Sequence, residues 1–206
     1  MAPAAHQAAP LAGGFGDPAR DSQRAFRALL DAMAEPGTIH VVAAAAGPCP
    51  GFSPAMTAIA LTVADFETTL WTDLGADSDA AAYLRFHTGA PIIPSHEAAA
   101  FAFVTRPLAL PSLATFAQGS LEYPDTSTTI IIDVAAISSE GGWRLAGPGV
   151  PGERQLTVSP LRPALIDELA ANRKGFPLGV DLVFCCGNRI AALPRSTTVS
   201  HPARSR

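Results

Sequence analysis

Four cationic side chains have the chemistry to bind a negatively charged ligand or a partner protein. Arg85 and His87 stand in the run Arg85-Phe86-His87-Thr88 at the predicted C-terminal end of a helix. The helix dipole alone favours cations there, which is the alternative explanation for this pair. Arg154 follows a glycine-rich turn, and Arg195 follows Pro194 at the end of a predicted strand, where we expect it near the surface and where capping of a helix is the alternative to a partner contact. The sequence therefore predicts a phosphate-type ligand or a partner surface at these residues.

The glycine-rich segment before Arg154 imitates a nucleotide-binding motif. Gly147-Pro148-Gly149-Val150-Pro151-Gly152 matches G-x-G-x-x-G, which holds a pyrophosphate only when it opens a helix. Here two prolines remove N–H donors, and Glu153 to Val158 is typical of a strand. The segment is therefore predicted to be a turn between strands, with an anion-binding nest beside Arg154 as the weaker alternative.

No zinc or P-loop pattern is present in the sequence. His96-Glu97 begins like a metalloprotease helix, but Ala100 occupies the position of the second histidine. Asp73, Asp77 and Asp79 have the chemistry for a divalent ion. A solvated helix start is the alternative for them, since negative charge is favoured at that end of a helix. We expect no metal centre.

Length and charge set limits on the class of protein. The chain has 206 residues and a formal charge of -4, without a block of basic residues, which argues against nucleic acid or an anionic membrane as the main partner. No secretory signal or membrane-spanning run is recognised, so we expect a cytoplasmic protein. One α/β domain is predicted over residues 15–199, between flexible tails at 1–14 and 200–206.

The pattern of apolar residues predicts alternating helices and strands. Phe26, Leu29, Leu30 and Met33 recur at helical spacing and are predicted to face the core. Helices are predicted from Pro18 to Pro36, from Ser53-Pro54 to about Val63, from Asp77 or Ser78 to near Gly89, at Ser112 to Gln118 and from Leu161 to Arg173. Strands are predicted at Thr38 to Val42, Thr68 to Thr72, Phe101 to Thr105, Thr128 to Ile137, Trp143 to Leu145 and Gln155 to Val158.

The strand patterns further predict the architecture. Ile130-Ile131-Ile132 is apolar on both faces, as in a central buried strand. Val180 to Cys186 and Arg189 to Leu193 flank Gly187-Asn188, a dipeptide suited to a two-residue hairpin turn. The predicted fold is a three-layer α/β/α arrangement around a central mixed β-sheet.

Several separated segments together resemble one family. The segments are Asp21-Ser22-Gln23, Phe26-Arg27, Ala32 to Gly37, Leu84 to Thr88, Ala90-Pro91, Leu145 with Gly147 and Gly149, and Phe176 to Arg195. In this order they resemble the PhnH family, the H subunit of the bacterial carbon–phosphorus lyase core complex. The first and last segments are long and of unusual composition, and the resemblance spans residues 15–199.

The resemblance implies a function in organophosphonate catabolism. Family members join the G, I and J subunits in a complex that uses ATP and phosphonate, couples phosphonate to the ribose of ATP and releases adenine. A later step, assigned to the J subunit, cleaves the C–P bond. The family fold is similar to pyridoxal-phosphate-dependent transferases without a working cofactor site, and isolated subunits can form homodimers. We expect no pyridoxal phosphate here, because Lys174, the single lysine, stands at a helix end.

Two functional hypotheses follow. The first is an accessory subunit without independent catalysis, held in its assembly partly by the C-terminal hairpin and Arg195. The alternative is a stand-alone enzyme or binding protein for a phosphorylated molecule, using surface arginines such as Arg85, Arg154 or Arg195.

Overall fold

A computed structural model describes residues 13–44 and 46–201. The helices are α1 (Pro18–Ala34), α2 (Pro54–Val63), α3 (Asp79–Thr88) and α4 (Leu165–Lys174). The strands are β1 (His40–Val41), β2 (Leu70–Thr72), β3 (Phe101–Val104), β4 (Thr129–Asp133), β5 (Ala136–Gly147), β6 (Val150–Ser159), β7 (Asp181–Cys186), β8 (Arg189–Leu193) and β9 (Thr198–Ser200). Short 3-10 turns lie at His96–Ala98, Pro107–Ala109, Leu113–Thr115 and Pro124–Thr126.

The first three helices begin at the caps that the sequence predicts. Asp17 accepts a hydrogen bond from the backbone N–H of Arg20, Ser53 accepts one from Met56, and Ser78 accepts one from Ala81. Proline occupies the first position of α1 and α2, where its missing N–H costs little. These local signals confirm the predicted starts because capping depends on neighbouring residues only.

A six-stranded mixed sheet forms the centre of the molecule. Its order is β1-β8-β7-β4-β3-β2, in which β2, β3, β4 and β7 run parallel and β8 is antiparallel to β7 and β1. Ile130, Ile131 and Ile132 of β4 are fully buried, which confirms the predicted central strand. The β7–β8 hairpin also forms as predicted, and Gly187 has a positive φ of 62°, as the first residue of a type II′ turn requires.

Two different layers cover the faces of this sheet. Helices α1, α2 and α3 pack on one face with Phe103, Ile131 and Val183. Helix α4 packs on the other face together with a three-stranded sheet of order β6-β5-β9. The predicted α/β class with layers around a mixed sheet is confirmed, while the second outer layer contains a small sheet in addition to a helix.

The long predicted strand from Thr128 to Ile137 is in fact two strands in two sheets. β4 ends at Asp133, and β5 begins at Ala136 in the three-stranded sheet. The apolar pattern continues through Val134 and Ile137, both of which are buried, because the chain remains inside the core while it passes from one layer to the next. A pattern of burial alone does not reveal this change of sheet.

The prediction for the core face of α1 is wrong in part. Phe26 and Leu30 are 48% and 44% exposed, whereas Leu29 and Met33 are partly buried against the core. The buried face consists of the small residues Ala25, Ala28 and Ala32. Alanine allows close packing against α2 and β8, so the stripe of large residues is displaced toward one flank of the helix.

Contacts extend slightly beyond the predicted domain limits. The Tyr83 hydroxyl lies within hydrogen-bond distance of the carbonyls of Gly13 and Gly47, at 2.9 and 3.0 Å, and β9 includes Ser200. Most of the two predicted tails, residues 1–12 and 202–206, lies outside the described residues. Within the described part of the chain, no helix is both long and apolar enough to cross a membrane.

Candidate functional site

The structure places Arg85 and His87 in the last turn of α3, as the sequence predicts. The guanidinium of Arg85 donates to the carbonyl of Ala76 at 2.8 Å and so ties the helix to the loop before it. The His87 ring lies 4.3 Å, centre to centre, from the ring of Tyr83, and a Cβ added at Gly14 would lie 2.9 Å from its Nδ1. Both side chains thus have contacts within the fold, in addition to the favourable helix dipole.

Arg154 lies within β6, where it pairs with Leu145 of β5 in the β5–β6 hairpin. Gly147 pairs with Val150 across a turn at residues 148–149, which confirms that the G-x-G-x-x-G segment is a turn between strands. Arg154 donates through Nη1 to the carbonyl of Pro36 at 2.7 Å and packs near Gly37. This side chain fastens the hairpin to the end of α1.

Arg195 forms the centre of an internal network, which we call the Arg195 network. It makes a two-pronged ion pair with Asp181, and the side chains of the two residues are only 14% and 13% exposed. The guanidinium also donates to the carbonyls of Pro124 and Pro177 and to the hydroxyl of Ser127. It therefore joins the β7 start to two loops, and the Arg195 side chain, expected near the surface, is mostly buried and held by the fold.

The four predicted site residues do not converge. Arg85 and His87 share the end of α3, Arg154 contacts the end of α1, and Arg195 contacts the amino end of β7. Among residues 13–44 and 46–201, no contact links these three places. The described residues therefore do not form a single binding pocket for all four side chains.

The carboxyl edge of the parallel strands is the usual ligand position in α/β sheets, and here it carries two carboxylates. Asp73 accepts from the backbone N–H groups of Thr105 and Arg106 at 3.0 and 2.9 Å. Asp133 accepts from the backbone N–H of Ser53 at 2.9 Å and from its hydroxyl. Burial raises the pKa of Asp133, and the Ser53 hydrogen bonds oppose that shift. Both carboxylates therefore tie loops to the sheet edge.

Asp77 and Asp79, the other members of the predicted acidic cluster, lie at the start of α3. Asp79 is in its first turn and Ser78 provides the cap, so Asp79 has the helix-start position that is the alternative to ion binding. No group of three metal-ligating side chains occurs among the described residues.

A groove between α1 and β1 was not found from the sequence. Its volume is about 430 Å³, and it is lined by Gln23, Arg24, Arg27, Ala28, Asp31, His40, Val41 and Ala43. Arg24 and Arg27 are three residues apart on α1 and so share a helix face. That spacing is a signal visible in the sequence, but the opposing wall belongs to β1, whose position depends on its pairing with β8.

Comparison with known proteins covers almost the whole chain. A family model described as "Bacterial phosphonate metabolism protein (PhnH)" matches residues 13–200. Alpha-D-ribose 1-methylphosphonate 5-triphosphate synthase subunit PhnH of Rhizobium meliloti (strain 1021) is 38% identical over 188 residues, 90% of this chain and 93% of that protein. A protein of Stutzerimonas stutzeri named "Putative C-P lyase subunit protein HtxG" is 32% identical over 179 residues, 86% of this chain and 85% of the other.

The family match covers the part of the chain that folds into the two sheets and their helices. This part begins at Gly13, whose carbonyl contacts the Tyr83 hydroxyl, and ends at Ser200, the last residue of β9. The sequence-based resemblance is thereby confirmed over the full fold. The chain belongs to the PhnH family of bacterial phosphonate metabolism proteins.

Proposed function

We propose that this chain is the H-type subunit of a carbon–phosphorus lyase assembly in organophosphonate catabolism. In that assembly it supports the transfer of phosphonate to C1 of the ribose of ATP, with release of adenine, ahead of C–P bond cleavage by another subunit. The observation that carries the proposal is the 38% identity to a named synthase subunit over 90% of the chain. The second relative is named as a C–P lyase subunit protein, which supports the same pathway.

The proposed role is that of an accessory subunit rather than an independent catalyst. A stand-alone binding protein would use Arg154 and Arg195 to bind its ligand. In this structure Arg154 donates a hydrogen bond to Pro36, and Arg195 donates to Asp181, so both are engaged within the fold. The proposed partners are the G, I and J subunits. We further propose a cytoplasmic location, a homodimer for the isolated chain, and a family fold that resembles pyridoxal-phosphate-dependent transferases but does not use the cofactor.

The structure offers a defined surface for a partner beside the Arg195 network. Tyr123 and Phe176 are exposed by 57% and 54%; we call them the aromatic rim. Arg195 holds the two loops together, because its Nη1 donates to both Pro124 and Pro177, the residues that follow Tyr123 and Phe176. Exposed aromatic residues are typical of the centre of protein interfaces.

This surface replaces part of the hypothesis drawn from the sequence. Most of the β7–β8 hairpin is buried in the sheet, so the strands themselves are unavailable to a partner. Phe176 is the exposed apolar residue at the start of the segment Phe176 to Arg195. We therefore assign the partner contact to the aromatic rim and give Arg195 the task of holding its loops in place.

The test is co-purification from cells grown on a phosphonate as the phosphorus source. The tagged wild-type chain is expected to retain the G, I and J subunits, whereas a Tyr123→Ser/Phe176→Ser double variant is expected to lose most of them. Leu108→Ser is the matched control, because Leu108 is 62% exposed in a different loop. The proposed function fails if the wild-type chain retains none of these subunits. The assignment to the aromatic rim fails if the double variant retains them like wild type.

A further inference from the structure

The groove between α1 and β1 has the form of a small-molecule site. Its volume of about 430 Å³ lies within the range of roughly 300–1,000 Å³ common for ligand pockets. Arg24 and Arg27 line one wall from α1, and His40 and Val41 line the other from β1. We propose that this groove binds the tetrahedral oxyanion of a phosphonate or a phosphate ester between Arg24 and Arg27.

Arg27 is the stronger reason for this assignment. It is exposed and has no hydrogen bond or ion pair with any other residue in the described part of the chain. Arg24 has only a long contact of 3.8 Å to Asp21, whose carboxylate already accepts the backbone N–H of Asp17 at 3.1 Å. Both guanidinium groups therefore retain the paired N–H donors that match two oxygens of a phosphoryl or phosphonyl group.

The groove also contains one opposing charge, Asp31. Its carboxylate lies one turn after Arg27 on the same helix, yet no ion pair joins the two side chains among the described residues. An anion in the groove would be attracted by two arginines and repelled by one carboxylate. This charge balance predicts effects of opposite sign for substitutions on the two sides, which a loss of folding would not produce.

His40 is already engaged at one ring nitrogen. The single hydroxyl proton of Thr38 is donated to the carbonyl of Glu35 at 2.7 Å. The 2.6 Å contact between the Thr38 hydroxyl and His40 Nε2 therefore requires Nε2 to carry the hydrogen and to donate. His40 shapes the wall of the groove, and the binding charge comes from the arginines.

This inference does not depend on the proposed subunit function. A binding groove on a single chain can be measured with the purified protein in the absence of partners, and co-purification of subunits does not report on it. Failure of one proposal therefore leaves the other open to its own test.

In the experiment, the purified chain is titrated with each probe at low ionic strength, and binding is measured by calorimetry and by phosphorus NMR. Methylphosphonate, inorganic phosphate and ATP are the phosphorus-containing probes, and acetate is the carboxylate comparison. Low salt is required because exposed charge pairs are screened. Saturable binding to at least one phosphorus probe, tighter than to acetate, is expected, and the ranking of the three probes identifies the source of the oxyanion.

The variants provide the discriminating result. Arg27→Gln is expected to weaken binding about tenfold, as the loss of a charge-assisted pair implies, and Arg24→Gln/Arg27→Gln to abolish it. Asp31→Asn is expected to strengthen it, and Arg20→Gln, on the same helix but outside the groove, to leave it unchanged. The inference is overturned if wild type binds no phosphorus probe, if the double variant binds like wild type, or if acetate binds as well as methylphosphonate.

Discussion

At the scale of single residues, Arg195 is an example of a cationic side chain with a structural role. Its guanidinium satisfies Asp181, Ser127 and two carbonyls while remaining 14% exposed. A buried pair of this kind is stabilising mainly in the sense that losing one partner leaves the other charge without compensation. Arg195 therefore contributes mainly to the stability of the fold. We expect it to affect assembly only through the two loops that it holds.

We expect Arg195→Ala to lower the free energy of unfolding by about 3 kcal/mol, the magnitude typical for removing one member of a buried ion pair. Denaturant unfolding measures this change. Arg189→Ala, at the start of β8, is the control, because the only side-chain contact of Arg189 among the described residues is one of 3.8 Å to the sulfur of Cys186. An Arg195→Ala protein as stable as the Arg189→Ala protein would contradict the network.

Asp133 predicts a pH dependence of stability with a defined sign. Burial raises its pKa above the ordinary 3.8, so the folded protein holds this proton more tightly than the unfolded chain. The free energy of unfolding therefore falls as the pH rises from about 3.8 to the raised pKa. We expect Asp133→Asn to remove this fall, as measured by unfolding at a series of pH values.

Asp65 provides the comparison of opposite sign. Hydrogen bonds from the Thr68 side chain and the Glu67 backbone lower its pKa below 3.8, so its contribution is lost only as the pH falls through that lowered value. Asp65→Asn should therefore leave the slope above pH 3.8 intact. An unchanged slope in the Asp133→Asn protein would show that Asp133 is not the source.

At the scale of elements, the β5–β6 hairpin is fastened to the end of α1 by close backbone contact. Gly149 has a φ of 77°, and a Cβ there would lie 2.0 Å from the carbonyl oxygen of Ala34. Arg154 adds its hydrogen bond to Pro36 from the same hairpin. The turn predicted from the glycine pattern thus joins the small sheet to the helix layer.

Gly149→Ala is expected to destabilise the protein more than Gly152→Ala. Both glycines have positive φ, at 77° and 70°, but a Cβ at Gly152 meets nothing within 4 Å. The backbone strain is therefore common to both variants, and their difference in thermal or denaturant unfolding measures the contact with α1. Equal destabilisation by the two substitutions would show that this contact contributes little.

Helix α1 illustrates which element-scale properties follow from the sequence. Its start at Pro18 and its end at Ala34 are determined by a local cap and by the Pro36-Gly37 pair. Its orientation is not, because the helix turns Ala25, Ala28 and Ala32 toward its neighbours and leaves Phe26 and Leu30 exposed. The prediction of the core face relied on the large apolar residues of the helix. Close packing against neighbouring elements instead favours small side chains, which allow the helix to approach them.

At the scale of the whole molecule, the proposed absence of pyridoxal phosphate chemistry has a direct test. Lys174 is exposed at the last position of α4, whereas a lysine that forms a Schiff base with this cofactor is held in a desolvated pocket. We expect the purified chain mixed with pyridoxal phosphate to show no stoichiometric internal aldimine absorbance. A band of that kind, lost in a Lys174→Ala protein, would contradict the expectation.

The sequence by itself determined the family, the starts of α1, α2 and α3, the β7–β8 hairpin and the buried triplet Ile130 to Ile132. These features depend on neighbouring residues, or on segments distinctive enough to be recognised in order along the chain. Only the tertiary structure decided that Arg195 is internal and that Arg24 and Arg27 face a groove. The physical reason is that the environment of a long side chain is made by residues distant in sequence, such as Ser127 for Arg195 and His40 for Arg27.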